Sequence, residues 1–217
     1  MNLALYRAAL FALWPGVRLY LALRLRRGKE DPGRFGERLG NPTLPRPAGR
    51  LVWLHAASVG ESLSLLPLVE ALRSGRPALS VLVTTGTVTS AKLLAERLPK
   101  GVLHQYVPVD RFVAVRRFLD HWRPDLVLWA ESEFWPNLVS QPARRKIPMV
   151  LVNGRISPRS FKGWRRAPSL IKKLLAGFTL CLGQSEADAQ RLKELGAPDA
   201  RSLGNLKFAA PPLPVDA

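Results

Sequence analysis

The stretch LVWLHAASVGES, residues 51–62, passes from an apolar run into small residues, a glycine and a carboxylate. Its first four residues have the continuous apolar character of a strand that is buried on both faces. His55 ends the run, Gly60 allows a close backbone approach, and Glu61 falls in the first turn of the helix that should follow. The stretch therefore predicts a strand that turns directly into a helix, the repeating unit of an α/β fold.

The same alternation of apolar runs and helical patterns continues along the chain. The predicted strands cover residues 51–55, 80–84, 102–107, 125–129, 149–152 and 178–182. The predicted helices cover residues 61–73, 89–98, 111–121, 134–141, 169–176 and 185–195. This order predicts an α/β, Rossmann-like fold with a mostly parallel sheet and helices on both faces. In such a sheet, ligands bind at the carboxyl ends of the strands.

The composition of the 217-residue chain, which is 47% hydrophobic, allows a sizeable core in one large domain or two small ones. The formal net charge of +17 favours anionic partners such as nucleic acid, anionic lipid or a phosphorylated substrate, without choosing among them. Cys181 is the only cysteine, which excludes an internal disulfide and fits a reducing compartment. The three histidines lack metal-ligand spacing, so neither a metal nor a cofactor is predicted.

Acidic residues follow two of the predicted strands. Residues 129–137, WAESEFWPN, deliver Glu131 and Glu133 to the end of a strand, either for acid/base or charge-stabilising chemistry or as helix caps. Glu61 is open to the same two interpretations, as a catalytic carboxylate or as a partner of the helix dipole.

Two further loops belong to the same predicted edge of the sheet. Residues 84–90, TTGTVTS, lack the P-loop pattern, so helix capping is favoured over phosphate binding. Residues 204–208, GNLKF, put Lys207 after a presumed last strand, and by themselves they indicate little.

The segment between Glu133 and Glu186 contains no acidic residue and ten basic ones. Phe161 and Trp164 are interleaved with these charges, a combination that suits phosphate-bearing lipid or a nucleic-acid backbone. The basic residues are Arg144, Arg145, Lys146, Arg155, Arg159, Lys162, Arg165, Arg166, Lys172 and Lys173.

The N-terminal segment is rich in Leu and Ala, but its longest uncharged run, residues 8–17, is only ten residues long. A helix that crosses a bilayer needs about 20 apolar residues. The segment fits an interfacial helix followed by a basic turn, and it also fits a core helix with a solvated basic turn. Both interpretations stay open at this point.

Taken together and in this order, these stretches resemble the N-terminal half of the 3-deoxy-D-manno-octulosonic acid (Kdo) transferases. The resemblance covers essentially the whole chain, and HxxSVGE and ExExWPN are its most specific motifs. The matching stretches are FGER (35–38), HAASVGE (55–61), TTGTVT (84–89), VPVD (107–110), ESEFWPN (131–137), NGRISPRS (153–160), GA (196–197) and GNLKF (204–208).

The resemblance implies one half of a GT-B fold, in which the N-terminal domain takes a lipid A precursor and a C-terminal domain binds CMP-Kdo. It implies work at the cytoplasmic face of the inner membrane, on an anionic surface, with no nucleic-acid partner. Residues 1–40 are then a membrane-associating helical segment, peripheral or anchored, and residues 41–50 a proline-rich connector. Residues 51–208 are the acceptor-binding domain, and residues 209–217 begin an interdomain linker. Without the second domain, we expect this chain alone to be inactive in transfer.

The resemblance also implies roles for single residues. Glu61 is the general base of an inverting transfer, and Glu131 and Lys207 stabilise the transition state. Three positions depart from the usual family pattern, with Ser132 in place of Thr, Gly154 in place of Ala, and Ala209 in place of Asp. The remaining predicted substrate-binding residues are Ser58, Gly60, Arg155, Arg159, Arg165 and Arg166.

Two alternatives are kept beside this interpretation. One is a glycosyltransferase domain with another acceptor. The other is a non-enzymatic, basic, nucleic-acid-binding α/β module, which gives no reason for carboxylates to gather at strand ends, because they repel phosphate backbones.

Overall fold

A computed structural model describes residues 2–209, except for the side chains of Lys207 and Ala209. Seven strands form one sheet, and every pairing in it is parallel. The strands are β1 (Leu51–His55), β2 (Ser80–Thr85), β3 (Leu103–Tyr106), β4 (Leu126–Ala130), β5 (Met149–Gly154), β6 (Leu180–Gly183) and β7 (Ala200–Ser202). Their order across the sheet is β3-β2-β1-β4-β5-β6-β7. The predicted Rossmann-like α/β fold is confirmed.

Helices connect the strands and precede the first one. The helices are α1 (Leu3–Ala12), α2 (Trp14–Arg26), α3 (Phe35–Arg38), α4 (Val59–Gly75), α5 (Val88–Arg97), α6 (Phe112–Trp122), α7 (Pro136–Arg144), α8 (Pro158–Trp164), α9 (Pro168–Leu175) and α10 (Glu186–Glu194). A short 3-10 helix, Leu206–Ala209, ends the described part of the chain.

The strand order reverses direction beside β1. The chain builds outward from β1 to β2 and β3, and then returns to add β4 on the other side of β1. In open α/β sheets the loops after two such strands diverge and leave a crevice at the carboxyl edge. The crevice therefore lies between the start of α4, where Glu61 is, and the loop after β4, which carries Glu131.

Aromatic side chains fill the core on one face of the sheet. Trp53 in β1 contacts Trp129 in β4 and Phe118 in α6, with ring centroids 5.8 and 4.7 Å away. The indole N–H groups are satisfied inside the core, since Trp53 donates to Thr84 Oγ1 at 2.8 Å. A buried indole whose N–H has a hydrogen-bond partner buries a large apolar surface and leaves no unsatisfied donor. These contacts join the central strands to the helix layer.

The N-terminal segment forms two helices where the sequence predicted one. Helices α1 and α2 meet at Leu13 with a bend of 64°. Pro15 explains the break, because its ring nitrogen has no hydrogen to continue the helical ladder. No single helix within residues 2–209 is long and apolar enough to cross a membrane, although the bent pair together reaches that length and composition.

Besides the 3-10 helix Leu206–Ala209, two elements were not predicted. The strand Ala200–Ser202 is three residues long and polar, so it has no periodic pattern. Helix α8 lies in the basic segment, starts at the cap residue Ser157, and has no buried residue to mark a helical face. The boundaries of the predicted domains stay predictions, and residues 210–217 of the predicted linker lie outside the described part of the chain.

The buried carboxylate of Glu37 ties α3 to the edge of the sheet. It accepts hydrogen bonds from the backbone N–H of Tyr106 at 2.7 Å, from Arg34 at 3.0 Å and from the Thr43 hydroxyl. Gly40 follows with a φ of +84°, and a Cβ there would lie 2.2 Å from the carbonyl oxygen of Ala114. Glycine is therefore required at position 40 by both the backbone conformation and the close contact with α6.

Replacement of Gly40 should destabilise the fold far more than replacement of Gly49. Both glycines have positive φ, but a Cβ on Gly49 would meet no atom within 4 Å. Gly49→Ala should therefore cost only backbone strain, about 1 kcal/mol, whereas Gly40→Ala should cost at least about 3 kcal/mol because of the added clash. Urea unfolding of the two variants measures the difference, and equal losses would contradict this packing.

Candidate active site

Glu61 lies in the first turn of α4, and its carboxylate is held from two sides. Oε2 accepts the backbone N–H of Ala57 at 2.7 Å, and Oε1 accepts the Ser58 hydroxyl at 2.9 Å. Ser58 Oγ in turn accepts the backbone N–H of Glu61 at 3.4 Å, so the two residues form a reciprocal helix cap. Glu61 is 8% exposed. The capping role that the sequence left open is therefore present.

The cap occupies only part of the hydrogen-bonding capacity of the Glu61 carboxylate. Each carboxylate oxygen has about two lone-pair directions, and each oxygen receives one of these hydrogen bonds. The remaining directions can accept a proton from a bound hydroxyl, and the carboxylate is already oriented for it. Gly60 beside it leaves open space, because an added Cβ would meet no atom within 4 Å.

Two residues with unusual backbone conformation follow β4 and end β5. Glu131 and Asn153 have φ values of +54° and +55°, in the left-handed region that non-glycine residues rarely adopt. The backbone N–H of Glu131 donates to Val152 O at 3.0 Å, which joins the two strand ends. Such strained positions cluster at functional sites.

Asn153 links the GNLKF stretch to this edge of the sheet. Its side-chain Oδ1 accepts the backbone N–H of Leu206 at 3.0 Å, which holds the 3-10 helix at the end of β5. Lys207 is the next residue in that helix, but its side chain lies outside the described part of the structure. The sequence did not single out Asn153, although it is the first residue of the NGRISPRS stretch.

The loop after β5, inside the basic segment, is fixed by hydrogen bonds from two adjacent backbone N–H groups. Its Arg155 N–H donates to Ser132 Oγ at 3.0 Å, and its Ile156 N–H donates to Asp188 Oδ1 at 2.8 Å. The hydroxyl at position 132 is what this contact needs, so Ser in place of Thr preserves it.

The cations of the basic segment face solvent, whereas its aromatic residues do not. Phe161 and Trp164 are half-buried and pack against the core, with the Trp164 ring 6.1 Å from that of Phe134. They are therefore not a platform on which bases could stack, which weakens the nucleic-acid alternative. The predicted substrate-binding cations Arg155, Arg159, Arg165 and Arg166 are all exposed.

Asp110 of the VPVD stretch organises the loop after β4. Its carboxylate accepts the backbone N–H groups of Asn137 at 3.0 Å and Leu138 at 2.7 Å, at the N-terminus of α7, and the Tyr6 hydroxyl at 2.8 Å. Burial raises the pKa of Asp110 to about 6, against the opposing effect of these hydrogen bonds. One carboxylate thus joins α7 and α1, a contact that no local pattern predicts.

An apolar cavity of about 530 Å³ lies between the two N-terminal helices and the carboxyl edge of the sheet. The loops after β1, β2, β3 and β4 all contribute to its walls, so the structure brings together stretches that the sequence could only assign to one edge. The residues from these loops are Ala57, Gly86, Thr87, Val107, Pro108, Val109, Asp110, Arg111, Glu133 and Trp135.

His55, the last residue of β1, also belongs to the cavity wall and is buried. Its Nδ1 lies 2.9 Å from Thr84 Oγ1. Burial lowers the pKa of His55 to about 3, so its ring is neutral at pH 7. Within residues 2–209, no three His, Cys, Asp or Glu side chains come together as potential metal ligands.

The profile of the 3-deoxy-D-manno-octulosonic-acid transferase (kdotransferase) family matches residues 33–210. The chain belongs to this family. Among curated Kdo transferases, that of Rickettsia bellii is 38% identical over 212 residues, which are 98% of this chain and 50% of the relative. That of Haemophilus influenzae is 31% identical, over 94% of this chain and 48% of the relative. The chain thus spans about half the length of these Kdo transferases.

Two solved structures share the fold of this chain. The UDP complex of Staphylococcus aureus MnaA aligns with a TM-score of 0.53 at 15% identity, over 73% of this chain and 44% of that one. UDP-N-acetylglucosamine 2-epimerase of Rickettsia bellii aligns with a TM-score of 0.51 at 16% identity, over 73% and 46%. At these identities the likeness extends to the fold alone.

The buried histidines should make the stability of this domain fall in mild acid. Burial also lowers the pKa of His104, to about 4. The unfolded chain, with a histidine pKa near 6.5, binds more protons than the folded chain between about pH 4 and 6.5, so stability present above pH 6.5 is lost as the pH falls. His104→Gln should reduce the loss between pH 7 and pH 5 by about 2 kcal/mol in urea unfolding.

Asp110 should affect the pH dependence of stability in the opposite direction to the histidines. Its raised pKa makes the folded state bind more protons between about pH 4 and 6, which partly offsets the histidines. Asp110→Asn should therefore steepen the loss of stability over the same interval. An unchanged pH dependence in both variants would contradict these assignments.

Proposed function

We propose that this chain is the acceptor-binding half of a Kdo transferase and that Glu61 is its catalytic base. The donor is CMP-Kdo and the acceptor is a lipid A precursor. The observation that carries the proposal is the oriented carboxylate of Glu61 beside the crevice between β1 and β4, in a chain that belongs to this family.

The proposed reaction is a single displacement. Glu61 takes the proton of an acceptor sugar hydroxyl as the hydroxyl oxygen forms its bond to the anomeric carbon of Kdo. The bond from that carbon to the phosphate oxygen breaks, and its electron pair leaves with CMP. Attack opposite the leaving group inverts the anomeric centre, which needs one base on the acceptor side and no covalent intermediate.

Glu131 and Lys207 are proposed to act on the charge that develops as CMP leaves. A lysine ammonium group offsets negative charge on phosphate, and a carboxylate nearby can orient a donor group. The hydrogen bond between Asn153 and the Leu206 backbone supports this pairing of the two loops, because it holds the GNLKF stretch against the end of β5.

The exposed cations of the basic segment are proposed to bind the phosphates and carboxylates of the growing lipid. Arginine is suited to this role because its planar group makes paired hydrogen bonds with such anions. The N-terminal helices are proposed to hold the enzyme on the cytoplasmic face of the inner membrane. Support comes from their exposed apolar residues, including Phe11 at 76% and Leu13 at 63% exposure.

Glu61→Gln should abolish transfer without disturbing the fold. A glutamine carbonyl oxygen still accepts a hydrogen bond in the cap, but it cannot take a proton at neutral pH. In a chimera that joins this chain to the C-terminal half of the Rickettsia bellii relative, the rate of Kdo transfer from CMP-Kdo should fall by at least about 100-fold. Glu70→Gln, an exposed change on the same helix, should have no effect.

Near-normal transfer by the Glu61→Gln chimera would leave Glu61 with its capping role alone. If the unmodified chimera binds both substrates and transfers nothing, the proposed activity itself is wrong.

Neutralising the basic segment should weaken binding to the acceptor membrane. Replacement of Arg155, Arg159, Arg165 and Arg166 by Gln should lower affinity for vesicles that contain lipid A precursor by more than about tenfold, since each cation near an anionic surface contributes about 1 kcal/mol. The matched control removes four exposed charges elsewhere, at Arg76, Lys92, Arg97 and Lys100. Vesicle co-sedimentation measures the affinity of both variants. If the two variants lose the same affinity, the effect comes from net charge and not from the position of these four arginines.

A further inference from the structure

The cavity beneath the N-terminal helices has the size and lining of a site for a hydrocarbon chain. Its volume of about 530 Å³ lies within the range of roughly 300–1,000 Å³ that is typical of small-molecule sites. The helices contribute mostly apolar wall residues, among them Leu10, Trp14, Val17 and Leu21. A lining of this kind favours an apolar ligand, because transfer of hydrocarbon out of water is favourable by about 0.8 kcal/mol per CH₂ group.

One polar group in the wall has no partner. His55 Nε2 is buried and makes no hydrogen bond to any of the described residues. A buried polar atom left unpaired costs about 1–3 kcal/mol, so such atoms are rare in folded proteins. His55 belongs to the wall of the cavity, and because its Nε2 is buried there, a ligand atom reaches it only when a neighbouring wall side chain moves aside.

The hydrogen bonds around Thr84 indicate which polar atom the ligand offers. Thr84 Oγ1 accepts the indole N–H of Trp53 at 2.8 Å, so its own hydrogen goes to another group. His55 Nδ1 at 2.9 Å is closer than the Leu54 carbonyl oxygen at 3.4 Å. With Nδ1 as acceptor, the proton of the neutral ring is on Nε2. Nε2 is then a donor, and its partner is an oxygen.

We propose that this cavity binds one acyl chain of the lipid acceptor and that His55 Nε2 donates a hydrogen bond to an oxygen carried by that chain or its linkage. The inference rests on the proposed function, which supplies a lipid as acceptor. Ester and amide carbonyl oxygens and chain hydroxyls are all suitable partners for a neutral donor.

The position of the cavity favours the acceptor over an unrelated lipid. Ala57 lies in the cavity wall, and its backbone N–H is the group that holds the Glu61 carboxylate at 2.7 Å. A lipid with its chain in the cavity therefore has its headgroup at the same edge of the sheet as the base. On the outer side, Phe11, Leu13 and Leu19 are exposed on the same helix pair. The helices thus present apolar surface both to a bilayer and to the cavity.

Narrowing the cavity tests the proposal. The probe is cis-parinaric acid, a fluorescent fatty acid, bound to the 217-residue chain and displaced by tetraacylated lipid A precursor in detergent micelles. Val17→Phe adds bulk to the wall and should weaken displacement by the precursor at least about tenfold. Leu19→Phe adds a ring to the same helix at a position that is 62% exposed. It should change displacement of the fatty acid by the precursor less than about twofold.

A second variant tests the hydrogen bond. His55→Phe keeps the size of the ring and removes its nitrogen atoms, so it should weaken binding of the precursor and leave binding of a plain alkane chain such as dodecane unchanged. Thermal melting shows whether each variant is folded. If His55→Phe does not fold, the binding of the precursor to Val17→Phe still tests the proposal.

The proposal is overturned if Val17→Phe binds the precursor as tightly as the parent, or if Leu19→Phe loses as much affinity. It is also overturned if the fatty acid binds and the precursor does not displace it, because the cavity then serves another lipid. Transfer of Kdo plays no part in this assay, so its failure is distinct from failure of the catalytic role of Glu61.

Discussion

The arrangement of the candidate active site at the carboxyl edge of the sheet depends on one constraint, the parallel pairing of β1 with both β2 and β4. Parallel strands point their carboxyl ends the same way, so every loop that follows a strand emerges at one edge. Because β4 joins β1 on the side opposite β2, the loops after β1 and β4 diverge and leave a crevice. Glu61 and Glu131 flank it for that reason, although they are distant in sequence.

Buried polar groups then give this edge its shape. Asp110 receives two backbone N–H groups of α7, Asn153 receives one from the GNLKF stretch, and Glu37 receives one from β3. In each case a side chain satisfies the backbone of a segment far away in the chain, where an unpaired donor would be costly. Several stretches that resemble the family motifs therefore hold distant segments of the chain together, in addition to supplying candidate catalytic residues.

Under the proposed function, Glu61 combines a helix cap and a catalytic base in one side chain. The hydrogen bonds from Ala57 and Ser58 stabilise the start of α4, and the same bonds hold the carboxylate in one orientation. A base that is oriented before the substrate binds needs little rearrangement in the transition state. If Glu61 is the proposed base, the helix cap is the means by which the proton acceptor is kept in place. The two interpretations of this acid do not compete.

The sequence by itself determined the alternation of strands and helices, the candidate acids at strand ends and the concentration of positive charge, since each is a local pattern of residues. It did not determine the break between α1 and α2, the strand β7, or the inward packing of Phe161 and Trp164. Only the tertiary structure decided which loops share a cavity and how the N-terminal helices cover it. Those features depend on pairs such as Tyr6 with Asp110 and Arg7 with Asn137, which lie 104 and 130 positions apart. No local pattern carries that information, because the contacts exist only once the sheet has brought the segments together.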